Sequence, residues 1–369
     1  MSSSERAVLI ASSEFTLKSS PVRKTLEQRL IDDLKVGLTR KGFDGFRMEK
    51  DAGRIIVRGT REAENAAQCC ARVFGVAYAA PAIILPASME SVMEAIVHLA
   101  TEALKPTQSF AIRAHRATPS PLSRHEIEIK GGAEVLRTLK SREIEVDLTN
   151  PDVTIFIDLV GDHAYVYSER LSGPGGLPLS SMWRMLLVLD SGPLSILAAY
   201  SMMRRGCLVE PLLPLSDRVS FFARDPQLRL VRKLRELVTR LSYRTFTLDL
   251  DKSIGTGQTS LFDYPEARRF VRYAGAKLAV EKKFKGIVFS DVAGELATLS
   301  EFPGDHVGRP IFQPLIGLTS EELLDMCKQV DLQQEDLLTQ LDLQSQSSTS
   351  AEFDFSEHLA QTEFEQLSL

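Results

Sequence analysis

The sequence predicts an α/β protein: two small α/β units, the first of the ferredoxin-like kind, followed by a doubly wound parallel sheet. Three observations predict it. Apolar positions switch repeatedly between strand-like runs and helical spacing, a Gly/Pro-rich string at Ser172–Pro178 interrupts the chain near its middle, and short apolar runs alternate with helical segments beyond that string. A chain of 369 residues is also too long for one ordinary core and calls for two or three domains.

Ala7–Ala11 is apolar enough for a strand, and Val22, Leu26, Leu30, Leu34 and Leu38 recur at helical spacing within Pro21–Lys41. Arg54–Arg58 reads as a second strand, Ala63–Val73 as a second helix and Val76–Leu85 as a third strand ending at Pro86, which makes residues 1–80 the ferredoxin-like unit. Ser88 caps a helix to Ala103, with Glu90 and Glu94 toward its positive end. Phe110–Arg116 is a strand alternating apolar and basic residues, and Ser123 caps a helix to about Leu139. Strands at Glu145–Leu148, Val153–Leu159 and Ala164–Glu169 complete a second α/β unit over residues 81–172. Past the linker, Met185–Leu189, Cys207–Leu213, Thr245–Leu250, Gly286–Phe289 and Pro310–Pro314 alternate with helices, which argues a parallel sheet over residues 173–335. Residues 336–369, rich in Gln, Ser, Thr and Glu with spaced Phe, read as an acidic disordered tail.

Composition excludes several classes. The longest apolar stretches are interrupted well before membrane-spanning length, so no transmembrane helix and no membrane partner are expected. The N-terminus leads straight into a strand with no cleavage site, and the expectation is a cytoplasmic protein. Cys69, Cys70, Cys207 and Cys327 have neither metal-ligand nor secreted-disulfide spacing, and His125-Glu126 lacks the second histidine of a zinc-protease helix. No metal is expected. From Glu335 onward there are eight acids and no Lys or Arg, so the net charge of −5 conceals a body at +3. That balance is compatible with a polyanionic partner.

Local strings then carry a resemblance. Glu14-Phe-Thr-Leu-Lys-Ser19 with Pro21-Val-Arg23, then Arg113-Ala-His-Arg116, Asp147-Leu-Thr-Asn-Pro-Asp152 and Gly173-Pro-Gly-Gly-Leu-Pro178 occur in this order. The order is similar to that of the ThiI family of tRNA 4-thiouridine synthetases (tRNA sulfurtransferases), from about Ala7 to about Val330. The resemblance implies a ferredoxin-like N-terminal domain, a THUMP RNA-binding domain at 81–172 and a PP-loop ATP pyrophosphatase-like (adenine nucleotide alpha-hydrolase-like) domain. It implies binding of the tRNA acceptor end, and, in active members, ATP-dependent adenylation and thiolation of uridine 8. Arg113, Arg116 and Arg124 are the forked cations suited to such a single-stranded terminus, with Lys18 and Arg23 as further candidates.

In the PP-loop family the first strand of this domain runs into Ser-Gly-Gly-x-Asp-Ser and a helix, whose glycines and amides cradle phosphates. The matching run here is Asp190-Ser-Gly-Pro-Leu-Ser195. Gly192 and Ser195 keep the expected type. Asp190 instead brings negative charge, Pro193 removes an amide donor and Leu194 removes the family's carboxylate. Together they describe an ordinary helix start, with Asp190 or Ser191 as cap and Pro193 in the first turn. After Gln313-Pro-Leu-Ile316, the position of the family's ATP-assisting lysine is Ser320, and no cysteine stands where the family carries its sulfur. Cys327 falls inside the helix Ser320–Val330 and reads as core. The Gly255-Thr-Gly-Gln-Thr259 string lacks the lysine and frame of a P-loop and reads as a surface loop, and the basic helix Arg229–Arg240 reads equally as an extension of an RNA surface or as a solvated face.

The resulting expectation is a ThiI-like tRNA-binding pseudoenzyme with no catalytic residues and no cofactor. Asp190, Ser191, Gly192 and Ser195 are the vestige of its ATP loop. Two rivals stand beside it: an active 4-thiouridine synthetase using Mg-ATP on an atypical loop, and an adaptor whose acidic tail recruits a protein partner. Either form is compatible with a homodimer. Phe353, Phe355 and Phe364 alternate with acids in the tail, which therefore reads as a partner-binding segment or as a competitor for RNA on the basic body.

Overall fold

The computed structural model describes residues 5–12, 18–51, 53–60, 62–116, 118, 121–219, 222–239, 243–254, 264–292, 308–335, 337–338 and 362–367. The chain divides into two compact units at Gly176/Leu177.

Unit 1 runs β1 (Glu5–Ser12), α1 (Ser20–Arg40), β2 (Arg47–Asp51), β3 (Arg54–Arg58), α2 (Ala63–Cys70), β4 (Val76–Pro86), α3 (Met89–Ala103), β5 (Ser109–Arg116), α4 (Arg124–Thr138), β6 (Glu145–Val146), β7 (Val153–Val160), β8 (His163–Tyr167) and β9 (Leu171–Ser172). Its strands form one sheet in the order β2-β3-β1-β4-β8-β7-β5-β6, with β9 on β4. The boundary expected at residue 80 falls inside β4, which pairs antiparallel with β1 along one part and with β8 along another. Alternation along β4 sorts its side chains: Ile83 and Leu85 join the core under α3 and α4, while Ala82 and Ile84 join Leu9, Ile56, Tyr165 and Tyr167 on the other face.

Part of that second face is buried because the sheet curls. Four steps separate β3 from β7, about 19 Å in a flat sheet at ~4.8 Å per strand. Yet Arg54 Nε lies 3.1 Å from Asp158 Oδ2, and Asp158 is 1% exposed. Small residues at Ala7, Ala80 and Ala82 leave room for the curl.

The glycine string expected as a linker is tied to unit 1. Gly173 N donates to Ala77 O at 2.9 Å, Gly175 N to Val76 O at 2.8 Å and Gly75 N to Gly175 O at 2.8 Å. A Cβ on Gly173 would strike the carbonyl of Val76, which is backbone and cannot rotate away. Gly173→Ala is expected to cost on the order of 1–3 kcal/mol through overpacking, read as a lower urea midpoint at unchanged slope.

Unit 2 runs β10 (Arg184–Val188), α5 (Gly192–Arg204), β11 (Leu208–Leu215), α6 (Arg224–Leu237), β12 (Thr245–Asp249), α7 (Leu250–Ile254), α8 (Tyr264–Glu281), β13 (Gly286–Val288), β14 (Ile311–Phe312), α9 (Ser320–Val330) and β15 (Glu365–Leu367). The sheet order is β14-β13-β10-β11-β12-β15. Its first five strands are parallel and β15 is antiparallel to β12. Helix α8 covers the face bearing Leu186, Val188, Leu212 and Phe246. Helix α9 starts on a capping box between Thr319 and Glu322 and reaches α5 through Tyr200 Oη, which donates to Gln329 Oε1 at 3.2 Å.

The tail therefore does not read as disordered to its end. Residues 365–367 form an edge strand, Phe364 packs on the core under α8, and Lys277 Nζ donates to Thr362 O at 3.1 Å. An apolar side chain plus an open sheet edge supply what the acidic composition concealed. Phe353, Phe355 and the Gly255–Thr259 string lie outside the described residues.

Candidate functional site

Strand β10 leads to β11 on one side and is flanked by β13 on the other, so the chain reverses its order between β10 and β13. In open α/β sheets the crevice beyond the carboxyl ends at such a reversal is where ligands bind. Asp190 follows β10 there, Ser290 and Asp291 follow β13, and Gln313 follows β14.

In this chain the crevice holds its own ions. Arg268 and Arg272, one turn apart on α8, reach in from above. Arg272 Nε lies 2.5 Å from Asp190 Oδ2, and its Nη2 2.6 Å from Asp291 Oδ1. Arg268 makes the parallel contacts at 3.3 and 3.1 Å. Gln313 Nε2 donates to Asp291 Oδ2 at 2.8 Å, and Arg268 Nη2 donates to Ser191 Oγ at 2.9 Å. Asp190 and Asp291 are 0% exposed, and both arginines are buried. Burial pushes the Asp291 carboxyl up, but Arg272, Arg268 and the Gln313 amide outweigh it and hold the group below the usual aspartate range. Burial and Arg268 work against the charge on Arg272, and Asp190 with Asp291 outweigh them, so its pKa is raised.

The loop itself is turned inward. Gly192 has φ +50°, a conformation that favours glycine. Ser191 occupies the N-cap position of α5, but its side chain makes no capping bond; Ser191 Oγ donates to Asp190 Oδ1 at 3.1 Å instead. The Ser191 amide donates to Ser195 Oγ at 3.2 Å, so an N–H that the resemblance would aim at phosphate is occupied from within. Pro193 sits in the first turn and Leu194 is buried in the core. Cys327 is buried on α9, where burial raises its thiol pKa.

The basic candidates of unit 1 separate. On β5, Ile112 and Ala114 point into the core under α3 and α4, so Arg113 and His115 face the other side and Arg116 returns to the helix side. Arg113 and Arg116 therefore do not form the joint cluster expected of them. Arg124 is exposed at the start of α4, Lys18 is exposed ahead of α1, and Arg23 lies 3.8 Å from Glu27.

Arg113 stands opposite Phe156, and His115 opposite Asp158, in the β5–β7 register. The Arg113 guanidinium donates to Leu148 O. His115 Nδ1 is 3.9 Å from Asp158 Oδ1, whose other oxygen pairs with Arg54. Arg170 lies over Phe156 at 3.6 Å and over Tyr78 at 4.6 Å, and Phe156 stacks on Tyr167. The face thus carries partly exposed aromatic rings among Arg54, Arg113, His115 and Arg170, chemistry that accepts unstacked bases and phosphates. The Asp147–Asp152 string shapes the backbone beside β5. Asp152 accepts from Ser109 N and Oγ at 2.8 and 2.9 Å, and Asp147 closes its own turn.

The sequence reading missed Arg268, Arg272, Ser290 and Asp291. The spacing of Arg268 and Arg272 placed both on one helix face, but nothing in it said that the face is buried.

Comparison with known proteins accords with this architecture. The ThiI ferredoxin-like domain profile matches residues 7–80, and the THUMP domain profile matches residues 86–169. A probable tRNA sulfurtransferase of Methanosarcina acetivorans is 28% identical over 337 residues, 88% of this chain and 80% of that protein. The chain belongs to the ThiI family. A second probable tRNA sulfurtransferase, from Thermococcus kodakarensis, is also 28% identical, covering 88% of this chain and 87% of its own length. Among solved structures, a Pyrococcus horikoshii protein aligns at 26% identity with a TM-score of 0.66, covering 89% of this ThiI-family chain and 100% of its own. A 4-thiouridine synthetase solved as an RNA complex with bound ATP aligns over 99% of this chain at 19% identity, with a TM-score of 0.72, and shows the shared fold.

Among the described residues, no helix of this ThiI-family chain is long and apolar enough to cross a membrane.

Proposed function

We propose that this ThiI-family protein binds the acceptor end of tRNA through its first unit, and that its PP-loop domain is a scaffold that does not turn over ATP. The single observation that carries the second half is the buried set of Asp190, Arg268, Arg272 and Asp291. A nucleotide triphosphate needs free amides and uncompensated positive charge at the start of α5. Here the Ser191 amide is occupied and the two guanidiniums are matched by two carboxylates of the same crevice. Ser320 at the position of the family's assisting lysine points the same way.

The THUMP profile and the basic, aromatic face around Arg113 and Phe156 support RNA as the partner of unit 1. ATP is the ligand to test, because the structural relative solved with RNA holds it. Titration calorimetry with Mg-ATP is expected to give no heat of binding, and pyrophosphate release in the presence of tRNA is expected to stay at the level of a protein-free control. Submillimolar Mg-ATP affinity in the unmodified protein would overturn the silent-site reading and revive an active sulfurtransferase. Asp190→Ser restores the family's residue type and leaves the two arginines in excess. It is expected to bind ATP or inorganic phosphate more tightly than the wild type without gaining turnover.

A further inference from the structure

The C-terminal strand brings carboxylates to a cleft that would otherwise be positive. A cleft of about 240 Å³ at the β12 edge of unit 2 is lined by Leu215, Arg224, Asp249 and Lys252 from the body and by Glu363 and Glu365 from the tail. Lys252 Nζ lies 3.4 Å from Asp249 Oδ2, so these two charges answer each other. Arg224 opens α6 and lines the same cleft as Glu363 and Glu365. The tail's two glutamates therefore turn a local sum of +1 into −1.

The segment is held by modest means. Three residues of strand pairing, Phe364 against the core and Lys277 on Thr362 O fasten it. Such short edges sit at the low end of local stability. Tethering in the same chain nevertheless gives the strand an effective concentration on the order of millimolar, so a weak local contact is enough to fill the cleft.

We propose that residues 362–367 are a built-in competitor: Glu363 and Glu365 hold the place of RNA phosphates beside Arg224, and the cleft takes a phosphodiester of bound RNA when the strand leaves. Carboxylates and phosphodiesters share the chemistry that a forked guanidinium recognises. The exposed basic residues Arg229 and Arg232 continue the surface along α6. The proposal rests on the RNA-binding reading above and adds a second contact to it with a regulator.

The test uses the full chain and a tRNA acceptor minihelix, with affinity measured by fluorescence anisotropy at several salt concentrations. Glu363→Gln with Glu365→Gln keeps the strand's shape and removes its charge; it is expected to tighten binding about threefold to tenfold at low salt, with the gain shrinking as salt screens it. In an Arg224→Ala, Lys252→Ala background the same pair of changes is expected to give no gain. Phe364→Ala, which loosens the strand and leaves its charge in place, should shift affinity in the same direction as the glutamine pair. An equal gain in both backgrounds would reduce the effect to net charge and overturn the proposed cleft. No gain in either, with the wild type binding normally, would overturn the competitor and leave the RNA reading standing. No binding by any variant would remove the RNA reading and this inference together. A strand that pairs instead with a second copy would show as concentration-dependent dimerisation of Phe364→Ala with unchanged RNA affinity, which also overturns the proposal.

Discussion

Arg272→Ala is expected to destabilise unit 2 by about 3–5 kcal/mol, the range for removing one partner of a buried ion pair and leaving the other charge uncompensated. Arg272 contacts both Asp190 and Asp291, and neither aspartate reaches water. Arg268 alone cannot balance two carboxylates. The sign of the pH dependence follows from Asp291, whose carboxyl is held below the usual range in the folded protein. Its stabilising contribution is present above the unfolded aspartate pKa, about 3.9, and is lost as pH falls through the lower folded value. Without Arg272 that carboxyl titrates higher, so the acid limb of the stability curve should move to higher pH. Urea unfolding followed from pH 3 to 7, with the two units fitted as separate transitions, checks both points. A loss under 1 kcal/mol with an unmoved acid limb would mean that the four side chains do not act as one buried network.

The second large effect concerns RNA. Arg113→Ala with Arg170→Ala is expected to weaken acceptor-minihelix binding by about 2–6 kcal/mol, taking ~1–3 kcal/mol for each arginine contact. The slope of log affinity against log salt should fall by about one for each phosphate that the variant no longer neutralises. Arg116→Ala with Arg124→Ala removes the same charge from the helix side of the sheet and should cost less. The comparison is informative because Arg113 stands opposite Phe156 in the strand register and Arg170 covers the Phe156 ring, while alternation turns Arg116 to the other face. If the two pairs weaken binding equally, charge alone governs the interaction and the aromatic face is not its seat. Circular dichroism must first show that the variants fold, since Arg170 also donates to Tyr167 Oη at 3.0 Å.

Much of the fold was legible because local pattern and global position agreed. Helical spacing at Leu26, Leu30, Leu34 and Leu38 delivers the buried face of α1, the run Met185–Leu189 overlaps β10 in all but its first residue, and Gly286–Phe289 contains β13. Strand β2 was not legible: Arg47-Met-Glu-Lys-Asp51 has no strand pattern and forms an edge only because β3 offers a template. The three residues of β15 escaped for the same reason, since acidic composition says nothing about an edge 118 residues earlier in the chain waiting to be paired.

By itself the sequence determined the order of the main elements, the ThiI-type strings and the departures at Asp190, Pro193, Leu194 and Ser320, because each of these is a property of residues near one another along the chain. Only the tertiary structure decided what Asp190 does. A carboxylate at a helix start is equally a solvent-facing cap or a buried ion, and the choice depends on Arg268 and Arg272 arriving from a helix some 80 residues away. The same holds for Arg113 and Arg116: proximity in sequence suggested one cluster, and the pleat of β5 assigned them to opposite faces.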